Sequence, residues 1–127
     1  MKEFMLYIRN EKDAKTSLAE DQRVAFLNEC EIYIDSLKSD DKLIAAQPIE
    51  SEGVVLKKTA DDWIERDISM DEETQVGYYH ILAENLYEAI IIAKDNPEFR
   101  YIPSASIEVR PVKTEEIETG FEYPDEM

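Results

Sequence analysis

The chain has 127 residues, 43% of them hydrophobic, with seven tyrosines, four phenylalanines and one tryptophan; that is enough for one buried core and too short for two domains. Thirty acidic against fourteen basic side chains give a net charge of −16, a field that repels phosphate and disfavours nucleic acids and anionic membranes as partners. Cys30 is the sole cysteine, so no intrachain disulfide forms, and the absence of a long apolar run or a leader pattern in "MKEFMLYIRNE" points to the cytoplasm.

Taken in chain order, Phe4, Leu6 and Ile8 alternate with Met5, Tyr7 and Arg9, the period of two that makes a strand with one strongly apolar face. Ser17 and Glu20 in "SLAE" have capping-box spacing and predict a helix of about five turns. Its apolar stripe is Val24, Leu27, Cys30, Ile34 and Leu37, widened by Phe26 and Tyr33. "KLIAAQPI" and "GVVLKK", separated by "ESE", read as a hairpin, with "WIERD" continuing the meander. In "TQVGYYHIL", alternation puts Val76, Tyr78, His80 and Leu82 on one face and Gly77, Tyr79 and Ile81 on the other. Asn85 and Glu88 then open a second helix with Leu86, Ala89, Ile90 and Ala93 inward, stopped at Asn96-Pro97. "SIEVRPV" supplies a last strand. Residues 114–127 carry six acidic groups and no basic one, an acidic tail in which Phe121 and Tyr123 are suited to pack on a partner subunit or a sheet edge.

This order implies an α+β chain, a ferredoxin-like split βαβ domain over residues 1–113 with an extra β-hairpin after the first helix. Two helices cover one face of a sheet. The other keeps Met5, Tyr7 and one row of the tyrosine strand, so a second copy packed sheet to sheet is the simplest cover, giving a homodimer.

The stretches "KEFMLYIR", "AFLNECEIYIDSLKSDDKLIAAQPIESEGVVL", "VGYYHILAENLYEAIIIAKDNPEF" and "IEVRPV" together resemble the YCII-related family in its DGPF-domain branch. The resemblance implies a ferredoxin-like domain that forms a dimeric α/β barrel, with an unsettled enzymatic role. Two departures stand out. The signature Asp-Gly-Pro-Phe is replaced by "DISM", with Asp67 kept, and Asn28 stands where the YCII branch has a helix histidine proposed to work with an aspartate. Asn28 does not titrate, so that dyad does not carry over.

Among the residues themselves, His80 is the one group whose ordinary pKa suits acid/base work near neutrality, with Asp67 as its candidate partner and Tyr78 or Tyr79 as donor to an oxyanion. The competing reading is a half-buried strand histidine filling space. Arg9 and Arg110 suit a bidentate anion site or cross-strand pairs with Glu3 and Glu108, and Tyr7, Tyr78 and Tyr79 suit either a ligand pocket or ordinary packing. One histidine and one cysteine on separate elements make no usual zinc site, no calcium loop is present, and three glycines make no phosphate loop, so neither metal nor cofactor is implied. The sequence thus supports binding of a small organic ligand, Arg9 and Arg110 favouring an anionic one, in a cleft between the sheet and the "DISM" loop, with or without catalysis. The alternative is a non-enzymatic interaction or regulatory module.

Overall fold

The computed structural model describes residues 1–11, 18–69 and 72–124. Its elements run β1 (Lys2–Glu11), α1 (Glu20–Ser39), β2 (Leu43–Pro48), β3 (Val54–Lys58), β4 (Trp63–Asp67), β5 (Glu73–Ala83), α2 (Leu86–Lys94), α3 (Glu98–Tyr101) and β6 (Ser106–Pro111). Four strands form an antiparallel sheet in the order β2-β5-β1-β6, and β3 pairs with β4 in a separate two-stranded sheet. This α+β arrangement is compatible with the ferredoxin-like expectation.

The alternation in β1 decides which side is the core. Phe4, Leu6 and Ile8 are at most 3% exposed and lie opposite Ile81, Tyr79 and Gly77 of β5. Tyr33 and Leu37 of α1 and Ala89 and Ala93 of α2 close over them, so the helices lie on that side. Each fully buried aliphatic or aromatic side chain there contributes about 1.5–3 kcal/mol of transfer free energy. At Gly77 a Cβ would sit 3.0 Å from the Gln47 carbonyl oxygen and 3.3 Å from the Pro48 Cα, so glycine is what lets β5 run this close to the end of β2.

Several expectations are corrected. The hairpin joins β3 to β4, not β2 to β3: Leu43 and Ala46 pack on the core beside β5, whereas β3 and β4 carry Lys57, Lys58, Glu65 and Arg66 and stay outside. Val76 is buried with the core rather than sharing the His80 face, because the β1–β5 register shifts between Ile8 and Arg9 and leaves Val76 as the extra residue of a bulge. In α1 Tyr33 and Leu37 join the core under the sheet and Phe26 is buried against Tyr101 of α3, while Val24 and Leu27 are half-exposed. Leu86 of α2 is likewise exposed. Ser17 lies outside the described residues, and α1 opens instead at Glu20, where the Ala19 N–H donates to Gln22 Oε1 at 3.4 Å.

α2 begins as expected, with Asn85 Oδ1 accepting the Glu88 N–H at 2.9 Å. Past its end, Asn96 Oδ1 accepts the Glu98 N–H at 2.9 Å and starts the short α3, an element the sequence reading passes over. The chain after β6 folds back on itself. Tyr123 N–H donates to the Thr114 carbonyl and Glu116 N–H to the Phe121 carbonyl, both at 2.8 Å, so Glu115 and Glu122 face each other across an antiparallel bridge. Phe121 and Tyr123 pack edge to face on one another. No helix among the described residues is long and apolar enough to cross a membrane.

Candidate functional site

The sheet face away from the helices carries the sequence candidates Tyr7, Arg9, Tyr78, His80 and Arg110. His80 lies between Met5 of β1 and Ala45 of β2, and Arg110 lies beyond Met5; Tyr7 is opposite Tyr78 in the adjoining row. The His80 Nε2–H donates to Glu3 Oε1 at 2.8 Å, with both side chains less than a fifth exposed. A carboxylate in that position fixes the imidazole's orientation. The structure does not give His80 the partner expected for it: Asp67 lies exposed in β4, opposite Val54 in the other sheet. Arg110 pairs at 3.7 Å with Glu108, two residues away on its own strand rather than across strands, and Arg9 takes Glu73 of β5 at 3.6 Å, Glu3 lying six residues from Arg9 along β1. Both arginines are therefore already matched by carboxylates.

Tyr79 points the other way, into the core, where its ring meets Tyr33 edge to face with centroids 5.4 Å apart. Burial pushes both hydroxyls well above the ordinary tyrosine range, with each other's neighbourhood adding to it: Tyr79 for Tyr33, and Cys30 and Glu98 for Tyr79. Both stay protonated at neutral pH, and Tyr33 donates to the Ile92 carbonyl at 2.7 Å.

Beside this pair a cavity of about 320 Å³ opens between α1 and the β2–β5 edge. Its walls are apolar, from Ile8, Leu27, Ile34, Ala46 and Val76, and its polar residues are Tyr78, Tyr79, Cys30, Glu31, Gln47 and Glu98. Glu98 is half-buried, with one carboxylate oxygen shielded from solvent. Apolar walls with a few placed polar groups are the usual make-up of a small-molecule site. Tyr78 and Tyr79 line this cavity; His80, Asp67, Arg9, Tyr7 and Arg110 do not. Leu27, Cys30 and Ile34 read in the sequence as part of the helix stripe, and Glu31 and Glu98 carry no periodic signal.

A second, wider groove of about 610 Å³ runs between α1 and α2. At its margin Arg100 and the Tyr101 hydroxyl both bond Glu29, which holds that carboxyl below the usual range. Among the described residues no group of three or more His, Cys, Asp or Glu is placed to hold a metal ion. The chain matches no protein-family model and no curated protein.

Proposed function

We propose that this chain is a YCII-like ligand-binding domain that works as a homodimer and holds a small organic molecule in the cavity between α1 and the β2–β5 edge. The observation that carries the reading is the cavity's composition, an apolar enclosure ended by Tyr79, Cys30, Glu31 and Glu98. Two carboxylates and no Lys or Arg among the lining residues favour a neutral or cationic ligand over the anionic one. Support for the family comes from the likeness of "VGYYHILAENLYEAIIIAKDNPEF" and the strands around it. Support for the homodimer comes from the row of half-buried apolar residues, Met5, Tyr7, Tyr78 and Leu82, on the sheet face that the core does not use. In this reading His80 and Glu3 belong to the subunit contact, and ligand binding does not depend on them.

The test is a thermal-shift screen of neutral, cationic and anionic small organic compounds on the native chain, Leu27→Trp and His80→Ala. A compound at ~100 times its dissociation constant stabilises the native state by about 2.7 kcal/mol. Leu27 is half-exposed at the cavity wall, so the larger ring is accommodated and fills the opening. The shift is expected to vanish in Leu27→Trp and persist in His80→Ala. Stabilisation that survives Leu27→Trp, or that only anionic compounds produce, places the ligand elsewhere.

A further inference from the structure

The β3–β4 hairpin and the turn at 114–124 leave the four-stranded sheet at diagonally opposite corners. β2 ends at Pro48, level with Gly77 and Ile8, on one edge, and β6 ends at Pro111, level with Phe4, on the other. Three strand spacings and four residues of rise put those corners about 20 Å apart, with the chain heading away from each in opposite directions.

Neither excursion is self-sufficient. A lone two-stranded hairpin is marginal in water, and in β3–β4 every residue but Val55 is exposed. One of its faces carries Val55, Lys57, Ile64 and Arg66. On this face Lys57 and Arg66 are diagonal cross-strand neighbours, and neither has an ion-pair partner among the described residues. The 114–124 turn shows the converse pattern. Glu115 and Glu122 are directly opposite in a non-hydrogen-bonded pair, the closer of the two antiparallel spacings, where like charges destabilise. They too lack an ion-pair partner among the described residues, and the adjoining Ile117 is 86% exposed.

We propose that the Lys57/Arg66 face of the β3–β4 hairpin docks on the Glu115/Glu122 turn of a second copy of this chain. The contact rests on the homodimer proposed above and gives that dimer two arms. Two cations meet two carboxylates, Val55 and Ile64 meet Ile117, and an isologous arrangement makes every contact twice. The separation of the corners makes a second copy, rather than the same chain, the natural occupant.

A charge swap read by sedimentation equilibrium tests it. Exposed ion pairs contribute modestly one by one, so with each pair counted twice, Lys57→Glu/Arg66→Glu should weaken dimerisation by about tenfold to a hundredfold. Glu115→Lys/Glu122→Lys should do the same, and the four substitutions together should recover most of the affinity. Should the hairpin variant lose its far-UV circular dichroism, the turn variant, which lies outside the sheet, carries the test alone. Native-like dimerisation of the swapped variants, or no recovery in the combination, overturns the docking and leaves the homodimer standing. A native chain that stays monomeric at micromolar concentration overturns both.

Discussion

Tyr33 and Tyr79 tie the interior to pH. Both hydroxyls are held protonated by burial, above the range an unfolded chain gives them. A group with a raised folded pKa contributes fully below its unfolded pKa and loses that contribution as pH climbs from there toward the folded value. The native state should therefore weaken above about pH 10, by on the order of 1.4 kcal/mol per pH unit for each tyrosine. Urea midpoints between pH 8 and 11 measure this, and Tyr79→Phe should flatten the slope. Much of this scale was legible in advance. Phe4, Leu6 and Ile8 announce their burial by alternation, and Tyr79 and Ile81 fall on the side opposite His80 as period two requires. Val76 did not, because a bulge adds one residue without marking the sequence, and Glu3 could not be matched to His80 before the β1–β5 register was known.

At the scale of the element, α1 and α2 show how unequal two helix starts can be. α2 has a side-chain cap in Asn85, and Asn85→Ala should cost about 1 kcal/mol, seen as a lower denaturant midpoint with an unchanged slope. α1 has Ala19 at the same position and accepts help only from Gln22, so its first turn depends on packing through Phe26. The second helix could be read from its cap and its Asn-Pro stop. The first could be read as a helix with Phe26, Tyr33 and Leu37 inward, but not in the edge of its stripe, where Val24 and Leu27 turn out half-exposed beside the larger aromatic side chains. The hairpin was misassigned for a related reason: "ESE" offers a turn, but strand pairing follows the side chains that must be covered. The cavity lay beyond reach, because its lining comes from β1, α1, β2, β5 and Glu98, a property of the assembled layers rather than of any segment.

For the whole molecule, a charge of −16 sets the terms on which two copies would meet in the proposed homodimer. Self-repulsion between them must be offset by apolar burial on the sheet face and by local cations. Met5 sits at the centre of that face, flanked by His80 and Arg110. Met5→Glu should abolish dimerisation and leave the circular dichroism native, because the core residues project from the other side of β1; light scattering at micromolar concentration checks it. The same charge predicts tighter self-association as salt is raised, until screening reaches the cations as well.

The hydrogen bond from the Ile49 N–H to the Val76 carbonyl, 2.9 Å long, closes the sheet at the point where the chain departs on its excursion through β3 and β4 and later returns. Departure and return are thus neighbours, and closing such a loop costs little more when it is long than when it is short. The segment between them should therefore tolerate a change of length: a chain with the β3–β4 excursion shortened is expected to keep the four-stranded sheet, checked by native-like far-UV circular dichroism and cooperative unfolding.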